Sequence, residues 1–364
     1  MLKYLSTTRT IFQKRQLSTA ATVINKWKSQ LESHVDHAQD HLAASQFNLL
    51  ANTLDDPLTD FKHDNIPPEG TIIPPAWHLV YFPPRFTATE LASDGYELNF
   101  KPPKPFVHRM WAGAKLEWSR DNLLRVGQKA TMKSKLADVQ VNAGRRGESA
   151  FVWIDKDIYN EQGWSMKESR CLVYVQEPTD GGDRATPARR IKAFHLTHMI
   201  PFIFKKKKVN RAPEFSLRFD PSPMTLFRYS ALTFNSHLIH YDHNYATTVE
   251  HHPGKLYAVN WRRSARHSHV HTSPFIAACL VHGPLMSTLL MDLMRQHLAT
   301  GKFNTPPHIK SFQYRCLSPV YADQPFNVCG REMSSSTEKE KSFELWIADR
   351  DGNMAVKGTC DVQL

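Results

Sequence analysis

Apolar and polar residues alternate in two separate regions of this chain. The first region contains the segments VHRMWAGAKLEW, QKATMKSKLADVQV, SAFVWIDKDIY and MKESRCLVYVQ, between residues 107 and 176. The second region contains SFQYRCLSPVY, FNVCGREM, SFELWIA and MAVKGTCDVQ, between residues 311 and 363. A period of two is typical of strands with one buried face, and polar turns separate the segments. The pattern therefore predicts two antiparallel meanders of four strands each.

A segment that is apolar over most of its circumference precedes the second meander. It reads HGPLMSTLLMDLMRQHLATG, with Pro284 suited to the first helical turn and Gly301 suited to the C-terminal end. A helix with apolar residues nearly all round is a buried helix. Residues 27–54, which contain neither Pro nor Gly, predict one long helix or two short helices.

A buried helix wrapped by an antiparallel meander is the hot-dog arrangement. Two meanders in one chain therefore predict an α+β double hot-dog. We expect an N-terminal half over residues 25–178, a linker over 179–213 and a C-terminal half over 214–364. The linker contains the turn-forming TDGG, Pro187, Pro201 and a run of four lysines from Lys205 to Lys208, which we interpret as a solvated charge run.

The net charge of +11 is concentrated in two blocks without acidic residues. Residues 1–17 and 255–279 contain four basic residues each, so the rest of the chain carries only +3. This modest charge argues against nucleic acid as a partner. The first block, basic and rich in Ser and Thr, predicts a mitochondrial presequence over 1–17 and a location in the matrix. The alternative is an ordinary basic N-terminus.

The length of the apolar runs and the pattern of cysteines indicate whether the chain inserts into a membrane and which redox compartment it occupies. No run approaches the 18 or more apolar residues of a membrane span, so we expect no stable membrane insertion. The five cysteines are scattered and form no CxxC motif. This predicts free thiols in a reducing compartment rather than disulfides or a zinc finger.

Three fragments carry the candidate chemistry: LFRYSALTFNSHLIHYDHNYA (226–246), HHPG (251–254) and LVHGPL (280–285). Together with RMWAGAKLEW (109–118), they resemble the hydratases and dehydratases of acyl thioesters, the MaoC-like or hydratase-2 family. The likeness is closest to the fungal mitochondrial 3-hydroxyacyl-thioester dehydratases of type 2, with mesaconyl-C4-CoA hydratases as near relatives. It spans most of residues 40–364. The resemblance implies a thioester substrate carried by acyl carrier protein or CoA, and no cofactor.

The resemblance also implies roles for individual residues. The family signature is Asp-x-Asn-Pro-x-His, in which Asp and His form the catalytic pair. His240 takes the histidine position, whereas Asn235 stands where the family has Asp. Asn cannot ionise, so we expect Asn235 to orient water or the leaving hydroxyl rather than to supply a proton.

The reaction explains why these residue types are suitable. Dehydration of a 3-hydroxyacyl thioester needs a base for the C2 proton, an acid for the C3 hydroxyl and stabilisation of enolate charge. His240 can exchange both protons. Gly283, at the start of the buried helix, is expected to donate its N–H to the thioester oxygen and to leave room for it. Asp242 or His282 is expected to orient the site.

These residues also have a simpler interpretation. In it, His240 is a structural histidine and Gly283 serves only the geometry of the helix start. A metal site formed by His237, His240 and Asp242 is a further alternative, but no third ligand cluster recurs at helix or hairpin spacing. We therefore predict no metal.

The block from Lys255 to Cys279 separates two parts of the candidate site. It is free of acidic residues and has no clear period. One interpretation is a retained intron, because Gly254-Lys255 can be encoded by GGT-AAG, which contains the GTAAG of a splice donor. The other is a surface insertion over the entrance for the substrate.

The leading hypothesis is a dehydratase of (R)-3-hydroxyacyl thioesters in mitochondrial fatty-acid synthesis. Its N-terminal half lacks the catalytic motif and is expected to widen the tunnel for the acyl chain. One alternative is a hydratase of mesaconyl-type or other short branched acyl-CoAs. A thioesterase is disfavoured because Asn235 cannot activate water as a carboxylate would. The non-enzymatic alternative is an inactive acyl-thioester-binding or assembly protein. We expect a monomeric double hot-dog or a homodimer.

Overall fold

The computed structural model of this chain describes residues 19–144, 147–176, 207–250, 252, 279–301, 303, 306–337 and 339–364. The presequence predicted over residues 1–17 lies outside these ranges. The same is true of most of the predicted linker and of the block from residue 255 to 278.

One continuous antiparallel sheet of ten strands runs through both halves of the described chain. The strand order is β1-β3-β4-β5-β2-β7-β10-β9-β8-β6. The two halves join where β2 pairs with β7, from Gly113 opposite Arg315 to Glu117 opposite Ser311. All eight predicted strands are confirmed. The strands are β1 (Val35–His41), β2 (Phe106–Trp118), β3 (Lys129–Gly144), β4 (Gly147–Asn160), β5 (Gly163–Gln176), β6 (Phe215–Phe219), β7 (His308–Cys316), β8 (Phe326–Glu332), β9 (Glu340–Ala348) and β10 (Met354–Gln363).

Four α-helices accompany the sheet in the described residues. They are α1 (Thr19–Gln30), α2 (Ala44–Leu54), α3 (Pro223–Thr233) and α4 (Gly283–Thr300). The predicted buried helix is confirmed as α4, which packs against β8 and β9 and buries most of its circumference. Each of its fully buried Leu and Met side chains contributes about 1.5–3 kcal/mol to stability.

The prediction for residues 27–54 was wrong in its middle part. Two helices are present, but the strand β1 separates them. Every second residue of β1 is exposed, and β1 forms the edge of the sheet beside β3, with Val35 opposite Lys135. Hydrogen bonding to β3 therefore outweighs the weak helical pattern of this polar segment. Helix α1 begins at Thr19, before the expected boundary of the half at residue 25, and buries Ala20 and Ile24.

The end of the predicted linker belongs to the C-terminal half. Lys208 forms a β-bridge with Asn353, and Arg211 forms an ion pair with Glu344 of β9. Val209 packs against the apolar cluster that contains Trp346. Residues 208–211 therefore contact this half, and the side chains of Lys207 and Lys208 are exposed, as expected for a solvated charge run.

Two further properties concern the helices and the cysteines. No helix in the described ranges is both long enough and apolar enough to cross a membrane. All five cysteines are free thiols, as predicted.

Candidate active site

The turn that follows α3 directs the first candidate side chains into a cavity. Ser222 caps α3 by accepting a hydrogen bond from the N–H of Thr225, at 3.1 Å. The helix ends where Phe234 adopts a left-handed conformation, with φ of 51°. The chain then reverses, and the Asn235 Oδ1 accepts the N–H of His237, at 3.0 Å. This leaves the side-chain NH₂ of Asn235 available to a ligand in the cavity that it lines.

Two hydrogen bonds align His240 with the start of α4. The Leu280 N–H donates to the carbonyl of Ile239 at 3.0 Å, and the His240 Nδ1 donates to the carbonyl of Leu280 at 2.8 Å. A carbonyl only accepts, so the proton of His240 resides on Nδ1 and its Nε2 is unprotonated. The N–H of Val281 donates to the carbonyl of Val320 at 2.9 Å, which ties this segment to the C-terminal half.

Two further histidines surround His240. The ring of His282 stacks on it with a centroid separation of 3.6 Å, and His237 meets it edge-on at 5.6 Å. The His282 Nε2 forms a hydrogen bond with the Ser230 hydroxyl at 2.8 Å. Burial, helped by the nearby His252, lowers the pKa of His240 to about 4. Burial also lowers the pKa of His237 and of His282, and the proximity of His240 adds to both shifts. All three rings are therefore neutral near pH 7.

Gly283 has an N–H that is available to a ligand, and the space that a side chain would occupy is already filled. It lines the same cavity and begins α4, and no backbone acceptor for its N–H occurs among the described residues. A Cβ at this position would lie 2.5 Å from the indole of Trp111. The expectation that the missing side chain leaves room for the thioester was therefore incomplete, because Trp111 occupies that space. The Trp111 Nε1 in turn donates to the hydroxyl of Tyr314 at 2.9 Å.

The two residues expected to orient the site make different contacts in the structure. His282 contacts His240 directly through the stacked rings. Asp242 instead accepts the N–H of Tyr245 at 2.9 Å and stabilises the following turn. The structure therefore does not support Asp242 as the orienting residue. In the described portion of the chain, no group of three or more His, Cys, Asp or Glu side chains could hold a metal ion.

Sequence reasoning missed three polar residues that line this cavity: His108, Glu250 and His252. The Glu250 carboxylate accepts the hydroxyl of Tyr245 at 3.1 Å and lies 3.4 Å from His108 Nδ1. Burial raises the pKa of Glu250, but the hydrogen bond and charge of His108 outweigh it and lower the pKa. Glu250 directly precedes the HHPG fragment but lies outside it, so no local pattern marked this residue. His237, interpreted as a support for the loop, also lines the cavity.

The cavity lined by Asn235, His240 and Gly283 has a volume of about 170 Å³ and adjoins a larger one of about 660 Å³, which residues of the N-terminal half mostly line. The residues common to both walls are Tyr96, Trp111, Leu172, Asn235 and Pro284. The larger cavity lies where the tunnel for the acyl chain was expected. Its wall is not uniformly apolar, because it contains Lys156, Glu168 and Arg170.

Comparison with known proteins adds independent information. Residues 76–257 and 270–322 match the family described as "Hydroxyacyl-thioester dehydratase type 2". The chain is 30% identical to the mesaconyl-C(4)-CoA hydratase of Chloroflexus aurantiacus over 90% of this chain and 95% of that protein. It is 24% identical to the mitochondrial hydroxyacyl-thioester dehydratase type 2 of Schizosaccharomyces pombe, over 76% of this chain and 81% of that protein.

Solved structures confirm the fold. A Mycobacterium tuberculosis protein described as a double hot-dog superposes with a TM-score of 0.50 and 11% identity, over 91% of this chain and 95% of that one. The peroxisomal multifunctional enzyme type 2 of Drosophila melanogaster gives a TM-score of 0.51 and 14% identity, over 96% of this chain and 53% of that one. The fold is the predicted α+β double hot-dog. From the family match and the relatives, the chain belongs to the hydroxyacyl-thioester dehydratase type 2 family, within the MaoC-like hydro-lyases.

Proposed function

We propose that this hydro-lyase interconverts 3-hydroxyacyl and trans-2-enoyl thioesters at the cavity shared by Asn235, His240 and Gly283. The observation that carries the proposal is the His240 ring, which donates from Nδ1 to the Leu280 carbonyl. This contact leaves an unprotonated Nε2 as the base in a largely enclosed site.

The groups around His240 supply the other requirements of the reaction. In dehydration, His240 removes the C2 proton and returns it to the C3 hydroxyl as the C3–O bond breaks, so that water leaves and the C2–C3 double bond forms. The Gly283 N–H, at the positive end of α4, stabilises the enolate charge on the thioester oxygen. The Asn235 amide orients the departing hydroxyl. Hydration uses the same groups in reverse.

Glu250 is the group that we propose to orient the reacting water. It is a carboxylate on the wall of the same cavity, where the Asp of the family signature is replaced by Asn235. Because the pKa of Glu250 is lowered, its carboxylate is ionised near pH 7 and can accept a hydrogen bond from water. Its hydrogen bonds to Tyr245 and His108 hold it in place.

The pathway and the carrier are narrower proposals. The basic N-terminal block and the mitochondrial relative from Schizosaccharomyces pombe support the dehydration of (R)-3-hydroxyacyl thioesters in mitochondrial fatty-acid synthesis. The higher identity to the Chloroflexus enzyme favours the second candidate, a hydratase of mesaconyl-type or other short branched acyl-CoAs. Acyl carrier protein and CoA both remain candidate carriers.

The test is the hydration of crotonyl-CoA and longer 2-enoyl-CoAs by the wild-type chain and three variants. We expect His240→Ala to lower kcat about 10²–10⁴-fold, because general acid–base catalysis is lost. We expect Asn235→Ala to lower it about 10–100-fold through loss of one hydrogen bond to the reacting centre. His41→Ala, at an exposed position of β1, is the control. Wild-type inactivity on every chain length, or full activity of His240→Ala, would overturn the proposal.

A further inference from the structure

A turn of the N-terminal half forms hydrogen bonds with residues 235–240, the loop that follows α3. The Leu238 N–H donates to the carbonyl of Asp94 at 2.9 Å. The Ser236 hydroxyl donates to the carbonyl of Gly95. Two consecutive carbonyls of the N-terminal half therefore hold this loop, although the partners are more than 140 positions apart in the sequence.

The turn and the 235–240 loop are also packed closely together. Gly95 has a φ of 81°, and a Cβ at this position would overlap the carbonyl oxygen of Ser236. Only glycine combines this backbone conformation with such a close approach. The next residue, Tyr96, meets the ring of His237 edge-on at a centroid separation of 5.8 Å. A displacement of the turn would therefore displace the loop.

The Arg109 side chain of β2 fixes the turn from beneath. Its Nη2 donates to both carboxylate oxygens of Asp94 at 2.8 and 3.1 Å, and its Nε lies 3.3 Å from one of them. Its Nη1 donates to the carbonyl of Glu97 at 3.1 Å. The guanidinium also lies 4.1 Å from the ring centroid of Tyr96. One side chain thus contacts the turn on both sides of Gly95.

Stability alone gives little reason for this ion pair. The side chains of Arg109 and Asp94 are only 4% and 15% exposed. For charges buried to this extent, the cost of desolvation offsets most of the Coulomb attraction, whereas bidentate geometry fixes orientation. Arg109 begins the fragment RMWAGAKLEW, and none of the catalytic steps proposed above uses it.

The loop transmits its position directly to the candidate catalytic side chains. The Asn235 Oδ1 accepts the N–H of His237 at 3.0 Å, and the His240 N–H donates to the carbonyl of His237 at 3.1 Å. Ser236 and Leu238, the two residues bound by the turn, flank His237 on either side. Both Asn235 and His240 are therefore tied to the residue that the turn holds in place.

We propose that Arg109 and Asp94 are positioning residues of this hydro-lyase: their ion pair fixes the turn, and the turn fixes Asn235 and His240. The inference rests on the proposed function, because Asn235 and His240 are the groups to be positioned. Arg109 and Asp94 themselves transfer no proton.

Steady-state hydration of crotonyl-CoA tests the proposal in Arg109→Met and Asp94→Asn. We expect Arg109→Met to lower kcat about 10–100-fold, because a misplacement of about 1 Å can cost about 10²-fold in rate. We expect KM to change less than about threefold, since uniform binding of the substrate is retained. Arg109→Lys should recover part of the loss, because it keeps the charge but not the bidentate geometry.

The matched control for Asp94→Asn is Glu344→Gln. Glu344 is likewise a buried carboxylate bound by an arginine, Arg211, but it lines neither of the two cavities described above. Each kcat is divided by the folded fraction, measured by circular dichroism. We expect a loss of kcat in Asp94→Asn alone. A kcat of Asp94→Asn equal to the wild type, or an equal loss in Glu344→Gln, would overturn the proposal.

Gly95→Ala tests the same contact with the ion pair intact. The new Cβ would push against the Ser236 carbonyl, so we expect kcat to fall about 10–100-fold here as well. Full activity of folded Gly95→Ala would contradict the role of the turn. If this variant does not fold, Asp94→Asn, which preserves the shape of the side chain, still decides.

Hydrogen–deuterium exchange separates this proposal from the proposed function, because it needs no turnover. In Arg109→Met we expect the peptide that contains the Leu238 amide to exchange about tenfold faster than in the wild type, and peptides of α4 to be unchanged. Unchanged exchange at Leu238 would overturn the proposal, whether or not the chain hydrates crotonyl-CoA. Faster exchange in a chain that is inactive on every 2-enoyl-CoA would instead overturn the proposed function, with the contact between turn and loop established.

Discussion

Gly283 combines a proposed role in catalysis with an observed role in packing. Its N–H begins α4 and has no backbone acceptor among the described residues, which suits a developing oxyanion. Its α-carbon also lies against the Trp111 indole so closely that no side chain fits. The glycine is therefore required by Trp111 as much as by the substrate, and the two requirements can be separated experimentally.

We expect Gly283→Ala to displace Trp111, because the new Cβ would lie 2.5 Å from the indole. Overpacking of this kind costs about 1–3 kcal/mol of unfolding free energy. We also expect kcat/KM to fall about 10–100-fold, because displacement of the Trp111 ring would also shift the neighbouring Gly283 N–H. Urea unfolding and crotonyl-CoA hydration measure the two effects.

The compensating variant is Gly283→Ala combined with Trp111→Leu, which removes the ring and with it the clash. We expect the double variant to lose less stability than the sum of the two single variants. Additive losses would show that Gly283 and Trp111 are not coupled.

At the scale of elements, the site depends on contacts between segments that are far apart along the chain. The residues after α3 supply Asn235 and His240, and the start of α4 supplies His282 and Gly283. The Leu280 N–H donates to the Ile239 carbonyl, and the His240 Nδ1 donates to the Leu280 carbonyl, which holds these segments in register. The intervening block therefore need not act as a spacer, because Ile239 and His240 on one side and Leu280 on the other fix the alignment.

The buried histidines make the folded state sensitive to acid. In the unfolded chain a histidine titrates near pH 6.5, whereas burial lowers the pKa of His240 in the folded state to about 4. The unfolded state therefore binds more protons between these values, and the unfolding free energy falls as the pH falls below about 6.5. Each such histidine contributes a slope of up to about 1.4 kcal/mol per pH unit.

We expect His240→Gln to reduce the loss of stability between pH 7 and pH 5, because one buried titrating group is removed. The measurement is urea unfolding at several pH values. His41→Gln, which changes an exposed histidine, should leave the slope as in the wild-type chain. A slope equal in His240→Gln and the wild-type chain would contradict this explanation.

For the whole molecule, the seam between β2 and β7 unites the two halves into one sheet, and the site is assembled beside this seam. Trp111 of β2 packs on Gly283 of the C-terminal half and donates to Tyr314 of β7. The N-terminal half, expected to widen the tunnel for the acyl chain, therefore also contributes Trp111 to the candidate site.

The family match skips residues 258–269, which lie inside the block interpreted as a retained intron or a surface insertion. We expect a chain that lacks these residues to keep its thermal midpoint and its activity. Halving a loop changes its closure free energy by only about 0.6 kcal/mol, and Leu280 holds the register independently. Loss of folding or activity on deletion would indicate that the segment is part of the enzyme. Sequencing the transcript decides separately whether the segment is encoded in the mature message.

The sequence by itself determined the elements whose pattern is local. Period-two alternation predicted eight strands, continuous apolarity predicted α4, and the motif around His240 and Gly283 predicted the two parts of the site. The strand β1 was missed because its polar residues gain their hydrogen bonds only from β3.

Only the tertiary structure decided which side chains meet in space. It placed Trp111 on Gly283 and brought Glu250 to the cavity that His240 lines. Alternation shows which face of a strand a residue occupies, but not what lies opposite that face. These contacts join residues more than a hundred positions apart, or residues with no local pattern, and the sheet order and helix packing fix them.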